Sequence, residues 1–267
     1  MSRSRSFGKT KVAFRKPARP TPLRKIEQAQ TDFQRIDVWA SDRQVEFRVR
    51  GAAHAWWHRD RLLTGLTWDA IAAASLLRPE EPPRRLLMLG LAGGTSLRVL
   101  RHLLGNKVQI TAVELDRGMV RLARRHMRLD RLGLRLHLDD AYAWLARNRQ
   151  RFDVVVDDVY AALEETVARP GWGADHLALL KSALAPGGLL VANLLTGAGH
   201  RRMQTAMRRA FREGFSCVRS VTTPTGANEV LVGGETILSA RAWRPWESCF
   251  LSPTDRRYWR TLRLRSL

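Results

Sequence analysis

Near the N-terminus, apolar and polar residues alternate at every second position. The pattern holds from Phe33 to Val49, in "FQRIDVWA" and "RQVEFRVR", and it is typical of strands that bury one face. The intervening "SDR" suits a hairpin turn. Residues 66–77 then predict a helix, which the proline-rich "RPEEPP" ends. The sequence therefore predicts a small N-terminal β-element and a helix before the main part of the chain.

Beyond this helix, short apolar runs alternate with segments of helical length. The runs predict strands at 85–90, 108–116, 134–138, 152–158 and 189–195, followed by helices at 95–104, 117–128, 140–148, 174–184 and 199–213. Two last extended runs, 215–223 and 228–234, suit a closing hairpin. Strands that alternate with helices form parallel sheets with helices on both faces. We therefore expect an α/β fold with a doubly wound, Rossmann-like sheet of seven strands.

The length of 267 residues suits one large α/β domain with a modest addition. We divide the chain into a basic arm, an N-terminal β-hairpin with its helix, the α/β domain and a C-terminal extension, at 1–26, 27–80, 81–240 and 241–267. The arm has nine Lys or Arg, three prolines and no acidic residue, and we expect it to be disordered. A solvated tail is the favoured interpretation of the arm, and a tether to an anionic partner is the alternative.

The net charge of +21 raises nucleic acid as an alternative partner. However, 40 of the 46 basic residues are arginine, a skew that genome base composition also produces, and no recognition motif accompanies them. No apolar segment has the length of a signal peptide core or a membrane span. Cys217 and Cys249 are too few for a disulfide framework or a metal knot. We expect a cytoplasmic protein without a metal or a membrane partner.

A glycine loop follows the first strand of the predicted sheet. In "LMLGLAGGTSLRVL", Gly90, Gly93 and Gly94 stand between this strand and the next helix, where glycine lets the backbone approach a ligand and the helix N-terminus offers free N–H groups. The dinucleotide fingerprint G-x-G-x-x-G fails, because Ala92 and Thr95 occupy its later glycine positions. The loop predicts a ligand site, with a tight turn as the alternative.

Acidic residues end the next three strands of the predicted sheet. Glu114 lies 24 residues after Gly90, where a carboxylate can accept hydrogen bonds from both ribose hydroxyls. Asp140 follows the third strand, as an adenine ligand or as a helix N-cap. Asp157 and Asp158 end the fourth strand, where a carboxylate can hold an amine. Because the carboxyl ends of parallel strands share one sheet edge, we expect these acids to surround one ligand.

Aromatic and histidine side chains cluster just before the main sheet. The cluster comprises Trp56, Trp57, Trp68, His54 and His58. A core or dimer-contact role is the favoured interpretation, and an acceptor pocket with His58 or Asp69 as its base is the alternative. The tryptophans of 241–267 could stack on bases, but packing across the domain is favoured.

In their order and spacing, these signals resemble the spermidine synthase family of aminopropyltransferases, within the class I methyltransferase superfamily. The resemblance covers 33–234 and includes the hairpin, the glycine loop, "VELD", "FDVVVDD" and "LAPGGLLV". It implies a homodimer in which Glu114 binds ribose, Asp140 binds adenine and Asp158 is the catalytic loop acid. It also implies a nucleoside donor, either S-adenosylmethionine or its decarboxylated form.

The chain departs from this family at three sites that handle amines. The family's glycine loop is GGGDGG, and Gly93 replaces the aspartate that holds the donor amine. The loop Asp-Ser-Ser-Asp-Pro becomes "DVYAA" from Asp158, and Tyr-His-Glu becomes "WDA" from Trp68. A multiply charged polyamine needs spaced carboxylates, whereas the carboxylate of S-adenosylmethionine suits the N–H groups near Gly93 and Gly94.

These departures favour a SAM-dependent methyltransferase of spermidine synthase-like ancestry. Asp158 and Tyr160 are the expected catalytic residues, acting on a small-molecule acceptor, with an amine among the candidates. One alternative is a divergent polyamine aminopropyltransferase that uses decarboxylated S-adenosylmethionine. The other is a non-catalytic protein that binds a nucleoside or a nucleic acid.

Overall fold

The structure is a computed structural model, which describes residues 21–79, 81–162, 167–168, 173–226 and 228–267. Residues 1–20 of the predicted arm lie outside this part. The first strand begins at Arg24, so the predicted boundary at residue 26 falls within it.

The N-terminal element is a sheet of four antiparallel strands in chain order. They are β1 (Arg24–Gln30), β2 (Arg35–Ala40), β3 (Gln44–Val49) and β4 (Ala52–His58). The predicted hairpin is β2 and β3, where the alternation buries Ile36 and Val38 on one strand and Val45 and Phe47 on the other. The two outer strands lack a clear alternation, which is why the sequence pattern did not predict them.

The six helices and the seven sheet strands that the sequence predicts lie near their predicted positions, and the structure adds two C-terminal helices and three short strands that the sequence analysis did not predict. The helices are α1 (Thr67–Ala74), α2 (Thr95–Leu104), α3 (Arg117–Met127), α4 (Ala141–Arg147), α5 (Ala174–Ser182), α6 (Arg201–Gly214), α7 (Arg244–Glu247) and α8 (Pro253–Thr261). The strands are β5 (Arg85–Leu89), β6 (Gln109–Glu114), β7 (Arg135–Leu138), β8 (Phe152–Asp157), β9 (Ala161–Ala162), β10 (Val167–Ala168), β11 (Leu184–Leu195), β12 (Cys217–Thr222), β13 (Asn228–Gly234) and β14 (Arg263–Ser266). Among the described residues, β9 and β10 pair only with each other.

In the described part of the chain, the central sheet has eight strands in the order β14-β12-β13-β11-β8-β5-β6-β7. The five strands from β11 to β7 are parallel, and the other three are antiparallel. The seven predicted strands are all present, and β14 from the C-terminal extension is the eighth. The order reverses between β5 and β8, the place where doubly wound sheets bind ligands.

The central sheet separates two apolar layers. Successive residues of a strand point to opposite faces, so Val154 and Val156 of β8 pack with α1, α2 and α3, whereas Val155 packs with α4, α5 and α6. All three valines are fully buried. This confirms the interpretation of the apolar strands as buried on both sides.

The C-terminal extension packs across the domain. The indole N–H of Trp243 donates to the carbonyl of Ala73 at 2.9 Å, and the indole N–H of Trp259 donates to the carbonyl of Trp243 at 2.9 Å. The buried carboxylate of Asp255 accepts the backbone N–H groups of Leu62 and Leu63, just before α1. The extension therefore fixes the segment that leads into this helix.

Within the residues that the structure describes, no helix has the length and apolar character that a bilayer crossing requires. Nor do the histidine, cysteine, aspartate and glutamate side chains of those residues form a group of three or more that could hold a metal ion.

Candidate functional site

A cavity of about 350 Å³ opens at the carboxyl ends of β5, β6 and β8, beside the point where the strand order reverses. Five of the residues predicted from sequence line it: Gly90, Glu114, Asp140, Asp158 and Tyr160. Residues from β4, α1, α2, α3, β11 and β13 also line it. The structure therefore brings Glu114, Asp140 and Asp158 together around one space, as their positions in the sequence predict, whereas Asp157 is fully buried and is not among the described lining residues.

Glu114 connects the second strand end to the glycine loop. Its Oε2 accepts the backbone N–H groups of Leu91 and Ala92 at 2.9 and 2.8 Å, and its Oε1 accepts the N–H of Asp116 at 2.9 Å. A carboxylate offers about four lone-pair sites. Glu114 therefore shapes the loop and keeps capacity for a ligand hydroxyl at the cavity.

Asp140 is both a helix cap and a cavity residue. Its Oδ1 accepts the N–H groups of Tyr142 and Ala143 at 3.0 and 2.8 Å, which satisfies the first turn of α4. Within the described residues, no donor contacts its Oδ2. The two interpretations of this aspartate, cap and ligand, are therefore compatible in the structure.

Gly90 is required where the glycine loop meets the end of β8. Its φ is +78°, and a Cβ built on it would lie 2.4 Å from the carbonyl oxygen of Asp158. The N–H of Asp158 donates to the carbonyl of Leu89 at 2.9 Å, so the two backbones are joined at this point. The absence of a side chain at Gly90 thus admits the loop that holds Asp158.

Gly93 and Gly94 are not among the described residues that line the cavity. A Cβ on Gly93 would lie 2.5 Å from the Cβ of Ala55 and 2.5 Å from the sulfur of Met127. A Cβ on Gly94 would face Leu129 and Leu132, both buried. Their side-chain positions are therefore directed into the protein, and their expected contact with a ligand stays a prediction for their backbones alone.

Asp158 is held by a polar group within an apolar strand. The side-chain amide of Asn193, on β11, donates to Oδ1 of Asp158 at 2.7 Å. The Oδ1 of Asn193 accepts from the hydroxyl of Thr67 at 3.2 Å and from the amide of Asn228 at 3.0 Å. These donors on its oxygen fix the orientation of the Asn193 amide. Sequence analysis missed Asn193, although it is the one polar residue in "LLVANLL".

Tyr160 uses its hydroxyl to attach the loop after β8 to β11. The hydroxyl donates to the carbonyl of Asn193 at 2.7 Å and accepts the N–H of Leu195 at 3.1 Å. The hydroxyl proton is therefore engaged with the protein backbone. This geometry suits a positioning role for Tyr160, in place of the catalytic role that the sequence suggests.

The aromatic cluster divides between the cavity and the core. Trp68 and His54 line the cavity, whereas the other three members are not among its described lining residues. His58 stacks on Trp56 with ring centroids 5.6 Å apart, and its Nδ1 accepts the N–H of Asp60. His58 therefore does not occupy the position expected of a base.

Asp69 is fully buried in the first turn of α1. Its carboxylate accepts the N–H and hydroxyl of Thr64 and the N–H of Gly65. Burial raises the pKa of Asp69 to about 7, and the nearby charge of Asp255 adds to the increase. Asp69 does not line the cavity, and its bonds hold the turn before α1, so a role as base is not supported by its position.

The family model described as "Spermine/spermidine synthase domain" matches residues 70–232. The chain is similar to "Probable polyamine aminopropyl transferase" of Bifidobacterium longum, with 29% identity over 136 residues, 51% of this chain and 29% of the relative. It is also similar to "Polyamine aminopropyltransferase 2" of Pseudomonas aeruginosa, with 32% identity over 159 residues, 57% of this chain and 45% of the relative. The matches thus span less than half the length of these relatives.

Solved structures share the fold. A probable spermidine synthase from Corynebacterium glutamicum has a TM-score of 0.68 at 20% identity and covers 92% of this chain and 91% of its own. Spermidine synthase from Thermotoga maritima has a TM-score of 0.65 at 17% identity, covering 86% and 85%. Human methyltransferase-like protein 13 in complex with SAH has a TM-score of 0.56 at 23% identity, covering 72% and 90%. At these identities the likeness shows the doubly wound fold alone.

We predict that Gly90→Ala is more damaging than the same change at Gly105. Both glycines have positive φ, but a Cβ on Gly105 meets nothing within 4 Å, whereas one on Gly90 collides with the backbone of Asp158. The collision is expected to lower the free energy of unfolding by about 2 kcal/mol more than the backbone strain common to both variants. Denaturant unfolding of the two variants measures the difference. Equal losses would show that the backbone of Asp158 moves away freely.

We predict that Asp69 makes stability depend on pH. Because its pKa is about 7 in the folded protein and 3.8 is the ordinary value, the folded state keeps a proton that the unfolded chain releases. Relative to Asp69→Asn, the wild type should lose unfolding free energy as the pH rises from about 4 to about 7, with little change above. If the plots of unfolding free energy against pH are parallel for the two proteins, this prediction is wrong. Asp60→Asn, at an exposed carboxylate, controls for the loss of one negative charge.

Proposed function

This chain belongs to the spermine/spermidine synthase family, and from that premise we propose that it transfers an aminopropyl group from decarboxylated S-adenosylmethionine to an amine. The observation that carries the proposal is the carboxylate of Asp158, held at 2.7 Å by Asn193 in the same cavity as Glu114. One cavity thus combines an anchored acid for a cationic acceptor with an acid suited to a ribose.

The residues present suit a nucleoside donor. Glu114 retains one of its about four acceptor sites after its three backbone bonds, and a ribose hydroxyl is a matching donor. Asp140 has an oxygen that its helix cap does not use, which suits an adenine amino group. Leu115 is exposed at the same cavity and offers an apolar surface to a ring. These residues would hold the donor, whose sulfonium carbon supplies the electrophile.

The protein's own contribution is to position the amine. An anionic Asp158 attracts a protonated amine, and its link to Asn193 holds its position. Tyr160 attaches the same loop to β11. Displacement at a sulfonium carbon needs mainly alignment and a neutral nucleophile. The loop would therefore contribute to catalysis by holding the amine in line with this carbon.

The names of the curated relatives support aminopropyl transfer better than the methyl transfer that sequence analysis favours. One observation keeps methyl transfer as the second candidate. At Gly93 the family pattern has the aspartate that holds the donor amine, and here the side-chain direction is filled by Ala55 and Met127. Because no aspartate stands at this position, the carboxylate of S-adenosylmethionine would meet no repelling charge from it.

The nucleoside product separates the two candidates. We predict that the purified chain, given decarboxylated S-adenosylmethionine and putrescine, spermidine or a monoamine, releases methylthioadenosine, which chromatography measures. Release of S-adenosylhomocysteine from S-adenosylmethionine would overturn this in favour of methyl transfer. Binding of either donor without any product would overturn both and favour the non-catalytic alternative.

Glu114→Gln should raise the donor KM about tenfold, because a hydrogen bond to a charged group is weakened.

We predict that Asn193→Leu lowers kcat/KM about 10- to 100-fold, the loss expected when a hydrogen bond to a charged group is removed. Asn228→Leu is the matched control, because Asn228 contacts the amide of Asn193 and has no described bond to Asp158. Its effect should be smaller. Rates of methylthioadenosine release and melting temperatures of both variants are to be measured. If Asn193→Leu costs no activity, then Asn193 does not position Asp158.

A further inference from the structure

β4 contains a bulge at His54. Ala55 pairs with Phe47 and Ala53 pairs with Arg48, so the register shifts by one residue and His54 has no partner on β3. Bulges of this kind redirect a side chain and are frequent beside active sites. Here the displaced residue lines the cavity that also contains Asp158.

Four side chains that can carry charge line this cavity within the described residues: His54, Glu114, Asp140 and Asp158. The three carboxylates accept protein hydrogen bonds, from the glycine loop, from the first turn of α4 and from Asn193. In the same part of the chain, no protein group hydrogen-bonds to the imidazole of His54. His54 therefore differs from the other three because its ring nitrogens are left for a ligand.

The imidazole is suited to accept a proton at neutral pH. Burial lowers the pKa of His54 below 6.5, so the ring is neutral at pH 7. The charged groups of the surrounding elements that line the cavity are Glu114 at the end of β6, Asp140 before α4 and Asp158 after β8; no described Lys or Arg is among them. A neutral imidazole accepts a proton through one nitrogen.

We propose that His54 is the catalytic base that removes a proton from the acceptor amine, an assignment that rests on the proposed function. Amines are protonated at neutral pH and lack the lone pair that displacement needs. Asp158 holds the ammonium group, and His54 takes one of its protons. The freed lone pair on nitrogen then forms the new C–N bond while the C–S bond breaks. The electron pair of the C–S bond stays on the sulfur of the neutral thioether that leaves.

The proton has a route out of the site. His54 is adjacent to Ala52 and Ala53, which line the cavity and are exposed to solvent. The imidazolium that forms can therefore release its proton to water at this edge. The product is a more substituted ammonium ion, so charge and protons balance over the whole step.

The test compares His54→Gln with His58→Gln, because His58 is on the same strand but does not line the cavity. We expect His54→Gln to lower kcat for methylthioadenosine release about 100-fold at pH 7, the usual contribution of a general base. The deficit should shrink as the pH rises, since solvent then deprotonates more of the amine. For His54→Ala, added imidazole should restore part of the rate. A merely structural role would produce neither effect.

The outcomes separate this inference from the proposed function. Wild-type release of methylthioadenosine supports the function, and an unchanged kcat and pH profile in His54→Gln would then overturn the role of His54 alone. If the wild type releases no product, the function fails, and NMR of the His54 ring protons decides the site. A shift on addition of methylthioadenosine or putrescine would support ligand contact by His54, and no shift would overturn it.

Discussion

The site depends on one backbone contact, between the turn after β5 and the turn after β8. At Gly90 the carbonyl of Asp158 takes the space of a side chain, and the N–H of Asp158 donates to the carbonyl of Leu89. Glu114 fixes the same glycine loop from the other side. The positions of Glu114 and Asp158 are therefore coupled through a few peptide units, and a shift in one loop is expected to move the other.

Much of the fold is predictable because the apolar periods are long and regular. The bounds of α2 and β13 agree with the sequence pattern, and Glu114, Asp140 and Asp158 meet at one sheet edge as the topology requires. β14 was missed because "RLRS" offers only four residues in an arginine-rich segment. Asn193 was missed because no local rule distinguishes an asparagine that bonds across to Asp158 from one that faces solvent. The sequence also did not show that the side-chain position of Gly93 faces into the protein. That depends on how β4 packs, which the periodicity of apolar residues does not reveal.

At Gly93, where the family pattern has an aspartate, β4 packs against the glycine loop. Where the pattern has an aspartate, Gly93 leaves space that Ala55 occupies, and β4 thereby approaches the glycine loop. The hydroxyl of Thr95 bonds to both the N–H and the carbonyl of Trp56 and joins α2 to this strand. The same strand has its bulge at His54. β4 therefore both fills the side-chain position of Gly93 and brings His54 to the cavity.

The bonds of Asp255 to Leu62 and Leu63 have a consequence for biosynthesis. A ribosome makes the chain from its N-terminus, so the segment before α1 is synthesised long before its acceptor exists. The nascent chain can form the central strands from β5 to β13 while this segment still has unpaired backbone donors. The part of the cavity wall that contains Thr67 and Trp68 is therefore expected to reach its final conformation last. In a stalled or shortened nascent chain, the central sheet would be folded while this side of the cavity is still open.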